Sequence, residues 1–198
     1  MLSPSDTAYP LLKESPTERE LQELFTSNLF ELGFAAENSR LPIPRLGLLL
    51  LLKSFQKLGY FVRLAEIPPP IVLHIAKTVG WNQIPDGLST YDASTARLRH
   101  MALVRSYLGV TPFADSARKL VLRTCLAGSR VREDLADIVN MAIEELIRQR
   151  CELPGFSTLF RAARAAGIAV NRGCYRQIYQ AIDPVARAHR CSFRKRVN

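Results

Sequence analysis

Proline and glycine divide this chain into lengths that helices fill. Ser15-Pro16-Thr17-Glu18 reads as a capping box with proline at the first helical position, opening an amphipathic stretch through Phe25. Pro42 and Pro44 precede a predicted helix over 45–58 that Gly59 stops. Pro68-Pro69-Pro70 launches another over 71–79, closed by Gly80. The spacing predicts further helices over 90–108, ended by Gly109, and over 113–126, capped by Thr111-Pro112. No stretch alternates with the period of two that a half-buried strand requires. The fold class is therefore all-α. The expected architecture is a multi-helix bundle, divisible into two small helical subdomains carrying helix-turn-helix-like elements. The expected organisation is an acidic N-terminal helical segment (1–40), a basic helical subdomain (41–128), a second helical segment or connector (129–183) and a basic tail (184–198).

Helical periodicity assigns faces. In 113–126, Ala117, Leu120, Val121, Thr124 and Cys125 share the inward side. Asp115, Arg118, Lys119, Leu122 and Arg123 share the other, so three cations project together. In 90–108, Arg97 and Arg105 fall among apolar positions and are expected in local ion pairs or hydrogen bonds. A periodic helix over 131–150 carries the stripe Val131, Leu135, Ile138, Val139, Ala142, Leu146 and Ile147. Beyond Leu153-Pro154-Gly155, helical segments 157–166 and 171–182 flank Gly167. They read either as helix-turn-helix, with Arg172 and Arg176 on the second member, or as a helical connector, one long helix bent at Gly167. Gly173 counts against the first, because that motif places an apolar packing residue there.

The charge is concentrated. Residues 97–132 hold eight basic residues against the single acid Asp115, a net +7 in a chain of total +9. A second block, 161–198, carries nine basic residues and one acid, whereas 1–40 and 133–160 each carry −4. Two basic blocks separated by an acidic one suit a protein with one polyanion-binding side.

Several functions lose support. The leucine run 46–52 ends at Lys53 and is too short to span a bilayer, and the start lacks a secretory pattern, so an intracellular, soluble, cytoplasmic protein is expected. Cys125, Cys151, Cys174 and Cys191 show no CxxC spacing, which argues against zinc and for reduced thiols. No glycine-rich phosphate loop, HExxH or GxSxG is present. His74, His100 and His189 lie in separate elements. His74, within IVLHIAK, reads as a core or boundary histidine. His100 reads as a donor to phosphate or a partner for Tyr107. No cofactor, metal, catalytic residue or small-molecule substrate is expected.

The blocks RLGLLLLLKSFQKLGYFV (45–62), IPPPIVLHIAKTVGW (67–81) and YDASTARLRHMALVRSYLGVTPFA (91–114) together resemble the N-terminal region of the replicative transposases of the Tn-three family. AIEELIRQRCELPGFSTLFRAARA (142–165), VNRGCYRQIYQAI (170–182) and the opening AYPLLKESPTERELQELFT (8–26) are similar to it as well. The resemblance spans 7–182; the tail beyond departs from the pattern. It implies recognition of transposon terminal inverted repeats by a helical region, with cutting and joining left to a distant RNase H-like domain holding three metal-binding acids. On that reading this chain is the end-recognition portion, without catalysis of its own.

The expected contacts follow. Arg118, Lys119 and Arg123, with Arg99, Arg130 and Arg132, are assigned to phosphates, and Lys53 and Lys57, one turn apart, to outer phosphates. The base-reading helix is expected within 97–107 or 113–123, with 171–177 second, which brings in Arg97, His100, Arg105, Arg172 and Arg176. Two alternatives stand beside this. One is a helical homodimerisation module using the acidic N-terminus and the apolar helix 131–147. The other is a truncated transposase that occupies transposon ends and inhibits transposition.

Overall fold

The computed structural model describes residues 2–181. Nine α-helices occur among them: α1 (Glu18–Phe25), α2 (Leu29–Asn38), α3 (Pro42–Leu58), α4 (Pro69–Thr78), α5 (Leu88–Asp92), α6 (Thr95–Leu108), α7 (Asp115–Gly128), α8 (Leu135–Arg148) and α9 (Phe156–Ala181). The all-α reading holds. Thr111 and Cys151 form an isolated bridge, and no longer strand occurs among the described residues.

The leucine-rich α3 is the axis of the first core. A helix apolar on every side must be covered on every side. Leu46 and Leu48 to Leu52 are all fully buried, enclosed by α1, α2, α4, α5 and α6. Each such leucine contributes roughly 1.5–3 kcal/mol of burial. Two polar residues on this helix are satisfied internally. Ser54 Oγ donates to the Leu50 carbonyl at 2.6 Å, and Lys53 Nζ lies 3.3 Å from Glu31 Oε1 on α2. Gly59 ends α3 in the left-handed region at φ 75°, as the sequence indicated.

The second core joins α7, α8 and α9 around Val121, Cys125, Val139, Ala142, Leu146, Leu159 and Ala163. Helix α7, grouped by sequence with the basic segment ending at 128, thus packs with the helices that follow it. Tyr9, from the acidic N-terminal segment, also belongs here, and its hydroxyl donates to the Pro154 carbonyl at 3.0 Å. The linkers stitch the two cores together. Thr111 N–H donates to the Arg150 carbonyl (2.9 Å), Glu152 N–H to Thr111 (2.8 Å) and Leu153 N–H to Gly59 (2.8 Å).

Several element boundaries differ from the sequence reading, each for a local reason. Thr17, not Ser15, caps the first helix, closing its box with Glu20. The predicted helix 90–108 is two helices, because Ser94 accepts from Arg97 N–H and restarts the chain as α6. Helix α7 starts at Asp115 after an uncapped Ala114, since Thr111 is occupied in the bridge. Asp134 caps α8, which therefore begins after Val131; Val131 is 75% exposed and Ile147 60%, so neither belongs to the buried stripe. The largest difference is α9. It runs unbroken through Gly167 and Gly173, which removes the helix-turn-helix and leaves the long helix. Residues 182–198, and with them His189, Cys191 and the basic tail, lie outside the described residues.

Among the described residues no helix is long and apolar enough to cross a membrane, and no cluster of three or more histidine, cysteine or acidic side chains could hold a metal.

Candidate nucleic-acid interface

The outer face of α7 gathers cations. Ala117, Val121 and Cys125 bury one side, with Leu120 and Thr124 half-buried beside them, and Arg118, Lys119 and Arg123 stand exposed on the other. Burying one side fixes the rotation of the helix about its axis, which is what holds the cations in register. Arg118 Nη1 lies 3.4 Å from Asp115 Oδ1, a loose and fully exposed pair that phosphate can replace. Lys119 and Arg123, one turn apart, line an open groove of about 440 Å³ with Ser116, Gln149 and Cys151. Glu145 stands beside the groove, its carboxyl held below the ordinary range chiefly by the hydrogen bond from Arg148 Nε at 2.9 Å and to a lesser degree by the Arg123 charge. The groove presents Lys119 and Arg123 to an anion that enters it, while the Gln149 amide donates to Glu145 at 3.2 Å.

The other expected contacts divide into exposed and committed groups. Arg99, Arg130, Lys57, Arg172 and Arg176 are exposed. Arg132 is exposed but paired with Asp137 at 3.1 Å. Arg97 and Arg105 are anchored, as their apolar registers indicated. Arg97 pairs with Asp92 at 2.7 Å and donates to the Val62 carbonyl at 2.9 Å. Arg105 pairs with Glu152 at 2.8 Å and lies over the Phe61 ring, 4.9 Å from its centroid. Both hold the fold together and leave the phosphate surface.

Two expectations are corrected. Lys53 is not an outer phosphate contact: it is 7% exposed and its ammonium faces Glu31, itself 2% exposed. His100 neither reaches solvent nor stacks on Tyr107. It is fully buried, its Nδ1 lies 2.7 Å from the Tyr91 hydroxyl, and Tyr107 stacks on Phe34 with centroids 4.4 Å apart. His74 is the boundary histidine its sequence suggested, half-buried with Nε2 2.9 Å from Thr26 Oγ1.

Burial, with the Arg99 charge adding to it, holds His100 well below its ordinary value of 6.5, at about 4. The unfolded chain therefore takes up a proton before the folded one does. The stabilisation is complete above pH 6.5 and is lost as pH falls toward 4. Urea unfolding midpoints should drop between pH 7 and pH 5, and His100→Gln should flatten that drop. A variant with the wild-type slope would remove His100 as its source.

Sequence reasoning missed Arg161 and Arg164. Both are exposed on α9, on the side opposite the buried Leu159, Ala163 and Ala166. The signal was present as an i, i+3 pair, but reading 157–166 and 171–182 as two segments set it apart from Arg172 and Arg176.

Residues 3–166 match the model of a family described as "Domain of unknown function (DUF4158)". The chain belongs to the DUF4158 family. The DUF4158 match takes in both cores and ends at Ala166, the last buried residue of α9. The transposase for transposon Tn501 of Pseudomonas aeruginosa is 28% identical over 127 residues. That alignment covers 64% of this chain and 12% of that transposase, so the chain spans a small part of its relative's length. This DUF4158 protein is transposase-related.

Proposed function

We propose that this protein recognises transposon ends, binding double-stranded DNA sequence-specifically at terminal inverted repeats as the non-catalytic, end-recognition portion of a transposase. One observation carries the reading: the outer face of α7, where Arg118, Lys119 and Arg123 project from a helix whose opposite side is locked in the core. The relationship to a transposase supports DNA as the polyanion. On this surface Lys119 and Arg123 grip one phosphate run across the groove, Arg118 exchanges Asp115 for a phosphate, and Arg99 and Arg130 make outlying contacts. Contacts of this kind fix register and orientation and carry little sequence information themselves.

The dimerisation alternative uses the acidic N-terminal segment together with the apolar stripe of α8. Ile138, Val139, Ala142, Ile143 and Leu146 are all buried against α7 and α9, so that stripe is already occupied within the chain.

Replacing Arg118, Lys119 and Arg123 together by alanine should weaken binding to every duplex. If each contacts one phosphate, the slope of log affinity against log salt should fall by roughly 2–3 units. Fluorescence anisotropy measures this, using a duplex with the terminal inverted repeat flanking the coding sequence beside a shuffled duplex. An unchanged slope would dismiss the α7 face. Equal affinity of the wild type for both duplexes would dismiss end recognition.

A further inference from the structure

Helix α9 has two halves with different surroundings. Its first three turns bury Leu159, Ala163 and Ala166 in the second core. Beyond Ala166 the support ends, and every residue from 171 to 180 is exposed. At 1.5 Å per residue, the stretch 167–181 extends about 22 Å past the last buried side chain. An exposed helix of ordinary sequence carries both charge signs; α9 carries arginines and no acid at all in its 26 residues.

Its side chains are ordered along the axis. Arg161, Arg164, Ile168, Arg172, Tyr175 and Arg176 fall at i, i+3, i+4 steps on the face opposite the core, a single stripe through both halves. Among the described residues none of these arginines makes an ion pair. Tyr175 is 73% exposed in the middle of the stripe. Such a stripe repels a basic partner helix and is complementary to a polyanion.

We infer that residues 171–180 of α9 enter the major groove of duplex DNA and form the base-reading element of this protein, with Arg172 and Arg176 directed at guanine edges. The inference rests on the DNA-binding reading above and adds where sequence is read. A helix is roughly 10–12 Å across and the groove is about 12 Å wide, so a helix exposed around its circumference can seat deeply in it. Helices α6 and α7 pack along α3 and along α8 and α9 respectively, so each can present only its outer face. Arginine grips guanine O6 and N7 through two hydrogen bonds, and Arg172 and Arg176, one turn apart, face the same way. Arg161 and Arg164 stand where the helix leaves the groove and meets the flanking phosphates. The reading segment also lies beyond the span matched by the family model, which ends at residue 166.

The test uses the full chain. A pool of randomised duplexes is taken through selection, and the enriched duplex is probed for guanine N7 methylation protection with wild type and variants. Arg172→Ala with Arg176→Ala should lower affinity for the enriched duplex at least roughly tenfold and abolish the guanine protection, while affinity for the unselected pool changes little. The double lysine variant should keep pool affinity and weaken the protection, since an ammonium can reach guanine O6 and N7 but lacks the rigid planar fork. Circular dichroism should be unchanged, because the substituted positions touch neither core. If the alanine variant keeps both preference and protection while the α7 triple variant loses affinity, the inference fails and the DNA-binding reading survives. If the wild type enriches no sequence, base reading fails at α9 and everywhere else, and stronger binding to single strands than to duplex would equally overturn groove entry.

Discussion

Lys53→Met should destabilise the protein by roughly 3–5 kcal/mol, the cost of leaving a buried charge without its partner. The methionine fills nearly the same space as the lysine stem, so packing contributes little to that figure. What changes is Glu31. Its carboxylate sits 2% exposed on α2, with Lys53 Nζ 3.3 Å from both oxygens, Gln56 Nε2 donating at 2.8 Å and Asn28 N–H at 2.9 Å. Without the ammonium, two neutral donors remain to solvate a full charge inside the first core. Chemical denaturation should show the loss as a shifted midpoint with a nearly unchanged slope. The companion variant carries Lys53→Met and Glu31→Gln together. Removing both charges from the interior should restore most of the stability, because the pair's mutual attraction does little more than offset its desolvation. A single variant as stable as wild type would mean that solvent reaches Glu31, and the buried pair would have to be abandoned.

That pair also marks the boundary of what the sequence makes legible. The all-leucine run announces a buried helix, and the spacing of Ala117, Val121 and Cys125 announces which way α7 faces, because both signals are local and periodic. Lys53 carries no such signal: its partner is 22 residues away on another helix, and only the packing of α2 against α3 brings them together. His100 is similar, reading as a cation among cations until α5 places Tyr91 against it. For α9, local propensity left open a turn or a bend at Gly167. A glycine in a helix interior costs about 1 kcal/mol relative to alanine, which the buried contacts of Leu159, Ala163 and Ala166 outweigh by fixing the helix that then continues. The candidate site divides the same way. Exposed cations on a well-packed helix are legible; which arginines are already committed to Asp92 or Glu152 is decided by tertiary contact.

Gly47→Ala should also destabilise, against the ordinary expectation for a helix interior. Alanine there normally gains about 1 kcal/mol over glycine. At this position a Cβ would lie 2.4 Å from Tyr91 Cε1, 2.6 Å from Cζ and 2.7 Å from Cδ1, distances no side chain tolerates. One of the two helices must move. The ring cannot swing aside cheaply, because Tyr91 is 4% exposed and its hydroxyl is held 2.7 Å from His100 Nδ1. Nor can α5 retreat as a body: Asp92 accepts from Leu64 N–H at 3.1 Å and pairs with Arg97 at 2.7 Å. Forcing a methyl group into so closed a contact costs roughly 3 kcal/mol, leaving a net loss of about 2 kcal/mol after the helix gain. The decisive comparison is a double-mutant cycle with Tyr91→Leu. Removing the ring should leave Gly47→Ala neutral or stabilising, so that the two substitutions couple strongly. Additive effects would show that the clash is relieved elsewhere along α3. Strong coupling would show that α3, α5 and α6 are locked through one glycine, one tyrosine and one histidine, the arrangement that fixes where α6 and its exposed Arg99 stand.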